Sequence, residues 1–212
     1  MTKMLSIFIA VQLLAGGWAG SASAQQKPIY FVTAGIAAPA SISVSEFWFP
    51  GIGAGAGIEY FIHPSVAVQG RLGYARFGLD EGKFKAENEA LEVLIATSGG
   101  EKHLFSAFAS LKYTKTIDSD DVDVRAVPYA VGGIGILSYS ETDIHGTEIG
   151  GVEIQVPGQS GTGFAINAGA GIDILLTDRV HLFVEGRFEV GFTSGERGST
   201  QLFPARVGIS FE

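Results

Sequence analysis

Glu185, Arg187 and Glu189 stand two residues apart in FAINAGAGIDILLTDRVHLFVEGRFEVGF, residues 164–192, and Asp173 lies in the first half of the same stretch. In an extended chain, side chains two apart share a face, so these ionised groups line up along one side of a strand. Glu59, Arg71, Lys112 and Arg206 occupy comparable positions in other segments, each among apolar neighbours. Such a row of acids and bases suits two tasks. It can pass ions along a gated polar path, or it can close on itself as a paired network. Charges withdrawn from water need partners to offset their desolvation, and the mixture of signs favours the network.

Other chemistry-bearing patterns are weaker. Acyl cleavage needs a hydroxyl nucleophile, a histidine base in reach and an acid to orient it. His63 falls in a turn, His145 in a loop, His103 at a strand start and His181 on the charged face of a strand. Neither strand histidine has a serine two residues along, so an enzyme is not expected. GIGAGA at 51–56 resembles a dinucleotide fingerprint, but that motif needs a strand before it and a helix after it. Here Pro50 precedes and more strand-like sequence follows, so these glycines read as strand positions on the polar face or in close packing. DSDDVD at 118–123 gathers acidic oxygens without the spacing, central glycine and closing glutamate of a calcium loop. It reads as a solvated turn, and neither a metal nor a cofactor is expected.

The elements that must carry these residues are strands. Val180, Leu182, Val184, Phe188, Val190 and Phe192 fall on one face, while His181, Phe183, Glu185, Arg187 and Glu189 fall on the other. A helical period would mix the two sets, so the period of two decides. The same alternation sets Val66, Val68, Leu72 and Tyr74 against Gln69 and Arg71, and Ile58, Tyr60 and Ile62 against Glu59. It also sets Phe105, Leu111 and Tyr113 against Ser106, Ser110 and Lys112, and Phe203, Val207, Ile209 and Phe211 against Arg206 and Ser210. YFVTAGIA at the start and VPYAVGGIGILSY in the middle complete a set of eight, though glycine and isoleucine appear there in both registers.

Connectors alternate between short (His63-Pro64, IDSDDVD, Thr177-Asp178) and long (39–50, 79–102, 141–161 and 194–199). This asymmetry and an even strand count are features of bacterial outer-membrane barrels. The expected fold is an all-β, eight-stranded antiparallel up-and-down transmembrane barrel, with charges in the lumen and Val, Ile and Phe toward lipid. A soluble lipocalin-like barrel would reverse that facing. Gly57, Gly73, Gly171 and Gly208 are expected inside, making room for long charged side chains. Tyr30, Tyr60, Tyr74, Phe77, Tyr113, Tyr129, Tyr139, Phe164, Phe192 and Phe203 are candidates for interfacial girdles, with Phe77 and Phe183 able to fill the lumen instead.

Composition agrees. Mean hydropathy is positive, yet past the N-terminus no long unbroken apolar segment exists. Lys3, the apolar run behind it and Ala22-Ser23-Ala24 fit a cleaved signal peptide over 1–24, leaving 25–212 as one barrel domain. The net charge of −8 argues against nucleic acid. The chain has no cysteine although export would permit disulfides, so its stability has another source.

With the Gly-spaced pairs GAGIEYFIHPSVAVQGRLGYARFG and NAGAGIDILLTDRVHLFVEGRFEVGF, the chain resembles the OmpA/OmpX-like outer-membrane β-barrel family over nearly its whole length after residue 24. The resemblance implies residence in the outer membrane of a Gram-negative cell, with outer-membrane lipid and lipopolysaccharide around it. It also implies assembly through periplasmic chaperones and the barrel-assembly machinery, which reads a terminal aromatic residue. Here Phe211 is penultimate and Glu212 last, so Phe211 takes that role. A structural or adhesin-like surface role follows, with a narrow pore and a lipid A-modifying enzyme as alternatives. Loops 79–102 and 141–161 are the candidate ligand-binding segments, read either as ordinary surface loops or as a short helix or strand edges open to strand addition.

Overall fold

The computed structural model describes residues 27–40, 48–80, 82, 94–115, 126–148, 153–193 and 199–212. The leader at 1–24 and the acidic turn at 118–123 lie outside the described residues. The strands are β1 (Ile29–Pro39), β2 (Gly51–His63), β3 (Val66–Gly78), β4 (Leu94–Gly99), β5 (Glu101–Thr114), β6 (Ala126–Glu141), β7 (Ile144–Glu148), β8 (Glu153–Val156), β9 (Ser160–Thr177), β10 (Val180–Thr193) and β11 (Ser199–Phe211). Eight of them close a barrel in the order β1-β11-β10-β9-β6-β5-β3-β2, every pair antiparallel. The first and last strands seal it from Tyr30↔Phe211 to Pro39↔Leu202, so the sheet has no open edge.

The facing is inside-out relative to a soluble barrel. Val184 and Phe188 are 51% and 41% exposed, whereas Glu185 and Arg187 between them are 3% and 1% exposed. The two segments that were ambiguous in sequence resolve in the same way. β1 turns Phe31 and Thr33 inward and Val32 and Ile36 outward; β6 turns Tyr129, Val131, Leu137 and Tyr139 inward and Ile134 and Ile136 outward. On β5 the outward apolar run from Phe105 to Tyr113 measures roughly 27 Å along the strand at about 3.4 Å per residue. A tilt of about 40° brings this to roughly 20 Å, close to the ~25 Å apolar band of such barrels.

Girdle aromatics mark both ends of that band. Tyr30 stacks on Phe211 with centroids 6.2 Å apart, and Tyr60 and Tyr113 are exposed at the same end. Tyr74 lies 4.9 Å from Phe105, and Phe164 6.3 Å from Phe192, at the other end. Tyr129 and Tyr139 are not girdle residues: both point inward and are buried, as is Phe77.

The expectation for the inward glycines needs a second correction. Space over Gly57, Gly171 and Gly208 is taken by aromatic rings of the neighbouring strand, not by charged side chains. Phe31 is paired with Gly57, Phe108 with Gly135, Tyr129 with Gly171, Tyr139 with Gly161 and Phe183 with Gly208, and each ring lies where the glycine's Cβ would be. A ring laid over a cross-strand glycine covers bare backbone and pins register. Gly73 faces only the Ser106 hydroxyl, while Gly169 does make room for a charged side chain, that of Arg187.

The described parts of the long connectors at 79–102 and 141–161 include three short strands, while 83–93 and 149–152 lie outside the described residues. β4, β7 and β8 form a separate antiparallel sheet in the order β4-β7-β8. The chain re-enters the barrel from β4 through Gly99 and Gly100, at φ of 86° and 73°. Only glycine adopts this region without strain. The Gly100 amide donates to the Asp143 carbonyl at 3.3 Å, and the Thr142 amide to the Glu101 carbonyl at 2.9 Å, tying this sheet to the rim. The Asp143 carboxylate accepts from the Gly158 amide and from Gln155 Nε2, each at 2.8 Å, and these bonds hold it below the usual carboxylate range.

Two outcomes follow. Gly208→Ala places a methyl against the Phe183 ring and 2.7 Å from the Val32 carbonyl oxygen. It is expected to cost about 1–3 kcal/mol in urea titrations followed by heat-modifiable gel migration, with part of the loss recovered in the Gly208→Ala, Phe183→Leu double variant. Ionised Asp143 stabilises the 143–158 loop closure at neutral pH, and that contribution disappears as pH falls through its depressed pKa. Exchange of the Gly158 amide is therefore expected to accelerate relative to neighbouring amides below about pH 4, and Asp143→Asn to lack this step.

Candidate functional site: the charged barrel interior

Seven strands of the barrel (all but β1 carry at least one polar group into it) assemble a single cluster of hydrogen bonds and ion pairs along the barrel axis. β2 supplies Glu59, β3 Gln69 and Arg71, β5 Lys112, β6 Tyr129, β9 Asp173, β10 Glu185, Arg187 and Glu189, and β11 Arg206. All eight charged residues singled out in the sequence have their side chains inside the barrel: four carboxylates and four cations.

Near the short-turn end, Lys112 Nζ lies 2.7 Å from Asp173 Oδ2 and 3.2 Å from each Glu59 oxygen, and 4.3 Å over the Tyr129 ring. Gln69 joins this group to the next: its Nε2 donates to Glu59 at 3.1 Å, and its Oε1 accepts from Arg187. Above it lies a belt of three arginines and two glutamates. Arg187 binds Glu185 through Nε and through Nη2, the latter at 2.7 Å. Arg71 and Arg206 share Glu189 Oε1, Arg206 at 2.9 Å, and both approach Glu185 Oε1, at 3.6 and 3.9 Å. The Tyr129 hydroxyl donates to Glu185 at 3.1 Å. Each charge thus meets its opposite in a water-poor interior, where an unpaired partner would cost several kcal/mol.

Toward the loop end the interior turns apolar. Phe77, Leu104, Leu137 and Leu202, with Ala37, Ala75, Ala165 and Trp48, form a buried cluster across the barrel. Lys102 sits at its edge, paired with Glu141 at 3.0 Å and 4.9 Å from the Tyr139 ring centroid.

Two members of the polar cluster escaped the sequence reading as site residues. Gln69 was legible in principle, two residues from Arg71 on the same face. Tyr129 was not, because its segment fits either facing. The structure also gathers a polar group on the outer surface: Tyr74 Oη is 2.8 Å from His103 Nδ1, and His103 Nε2 is 3.5 Å from Glu101, which also pairs with Arg76. His181 lines the short-turn end of the lumen. Among the described residues no group of three or more His, Cys, Asp and Glu is arranged to hold a metal.

The outer membrane protein beta-barrel domain family matches residues 9–211. The chain belongs to this family. Membership places it in the outer membrane, with its apolar band in lipid. Among solved structures it is similar to Neisserial surface protein A, with a TM-score of 0.56, 14% identity, and 87% of this chain and 96% of that one covered. The N-terminal β-barrel domain of Pseudomonas aeruginosa OprF gives 0.44, 18%, 88% and 97% in the same terms. Ail, the attachment invasion locus protein of Yersinia pestis, solved with the heparin analogue sucrose octasulfate, gives 0.44, 12%, 88% and 100%. Identities this low speak to fold alone. No curated protein matches the sequence.

Removing one partner of a buried pair leaves the other charge uncompensated, at a cost of about 3–5 kcal/mol. Arg187→Ala and Glu185→Ala are each expected to lower the urea midpoint of heat-modifiable migration by that order, and the double variant to cost less than the two single losses combined. An unchanged midpoint in both single variants would refute a shared stabilising network.

Proposed function

We propose that this protein is a non-conducting outer-membrane barrel whose work is structural and adhesin-like: the charged lumen network holds the cylinder, and the cylinder presents surface loops. The observation that carries this reading is the apolar cluster of Phe77, Leu104, Leu137 and Leu202 across the loop end. An ion crossing it would exchange its hydration for mostly apolar walls, with Lys102 at the edge already paired with Glu141. The narrow pore is therefore the second reading, supported only by the charges beneath that cluster.

The surface role rests on the β4-β7-β8 sheet. Among the described residues its outer strands β4 and β8 present sheet edges on the long-loop side, the side that faces outward in barrels of this class. Exposed edges accept an added strand from a partner, so segments 79–102 and 141–161 are the proposed contact sites for a host or surface ligand. Lipopolysaccharide is the proposed neighbour of the outer girdle. Export through a signal peptide, chaperone escort and recognition of Phe211 by the assembly machinery complete the proposal. In its favour, Phe211 faces outward at the β1–β11 seam, where closure must finish.

No enzymatic step belongs to this reading. The imidazole of His103 engages a phenol and a carboxylate already tied to Arg76, and no serine is hydrogen-bonded to it among the described residues.

Purified protein in planar bilayers is expected to give no discrete conductance steps, and deletion of the β7–β8 hairpin to leave a heat-modifiable barrel that has lost surface binding. Steps in the intact protein that vanish on lumen substitutions would establish the pore instead.

A further inference from the structure

Among the described residues the lumen is filled at its loop end and open in its short-turn half. There a cavity of about 200 Å³ lies below the arginine belt, with Phe31, Phe61 and Phe183 on its apolar walls and Glu59, Asp173 and Lys112 on its polar wall. We propose that this cavity is a binding site for a small organic cation, a protonated amine carrying an apolar body of about six to eight heavy atoms.

Three observations carry the assignment. The first is charge. Lining residues include two carboxylates against one ammonium, so one negative charge remains after Lys112 is paired. The lumen's surplus cation sits higher, where three arginines face Glu185 and Glu189. The cavity therefore attracts a monocation and repels an anion.

The second is chemistry. The site already holds one ammonium, that of Lys112, between Asp173, Glu59 and the face of Tyr129. Carboxylate oxygen combined with an aromatic face is what recognises an ammonium group. Asp173 spends one oxygen on Lys112, and a carboxylate offers about four acceptor positions. Its side chain retains 12% exposure, and the Phe31 and Phe183 rings stand edge to face at 6.0 Å.

The third is size and access. A dry cavity of about 150 Å³ takes up benzene, so the extra volume here accommodates an aminomethyl group as well. Entry is from the short-turn end, because the apolar cluster closes the other. In barrels of this class that end faces the periplasm, so the ligand is a periplasmic amine. The assignment does not depend on the surface role, and loop deletions or conductance records leave it untouched.

The test titrates benzylammonium, benzyl alcohol and benzoate into the refolded full chain in detergent, following amide shifts of β9, β10 and β11. Benzylammonium is expected to saturate at millimolar concentration or below, benzyl alcohol to bind at least tenfold more weakly and benzoate not at all. Asp173→Asn is expected to weaken benzylammonium at least tenfold. Since that change also loosens Lys112, His181→Trp serves as a second variant: it fills the cavity without removing any lumen ion pair and is expected to abolish binding while heat-modifiable migration persists. Comparable binding of all three probes overturns the proposal. So does the absence of a saturable benzylammonium shift, or undiminished binding in His181→Trp.

Discussion

In lipid a backbone amide has no water to bond with, and each one left unpaired costs several kcal/mol. A sheet in that solvent can have no edge. The pairing of β1 with β11 over ten successive residue pairs meets this requirement and makes everything else in the molecule follow. Once the sheet is closed, one face of every strand is committed to acyl chains and the other to the lumen. Period-two alternation is the sequence's way of serving both solvents.

Closing eight strands leaves an interior just wide enough for side chains. The structure fills it in two ways. Ionised groups from six strands pair across the axis, and aromatic rings lie over glycines on the next strand. These devices are complementary. The ion pairs fix which strands face one another across the lumen, while the ring-over-glycine pairs fix how neighbouring strands slide past each other. With no cysteine to staple the chain, they replace the apolar core that a soluble domain would use.

Polarity also varies along the axis: a cavity with surplus carboxylate at the short-turn end, an arginine belt in the middle and an apolar cap at the loop end. The cap gives the barrel a closed outer end, and the β4-β7-β8 sheet extends from the rim on that side. Both features separate the proposed surface contacts from the cavity at the inner end of the barrel.

The sequence by itself determined the class of fold and the facing of most strands, because facing is a local property: Glu185 and Arg187 share a side whatever the rest of the chain does. It also determined which residues would be ionised in the interior. Tertiary structure decided which of those charges meet. Arg71 and Glu189 are 118 positions apart, and their contact depends on the stagger and diameter of the closed cylinder, which no single strand encodes. Tyr129 illustrates the same limit. Its segment satisfies both facings, and only pairing with β5 and β9 turned the ring inward, over Gly171 and beneath Lys112. The loop sheet was legible only as one alternative, strand edges beside a short helix or ordinary loops, because β4, β7 and β8 are short and exist through mutual pairing.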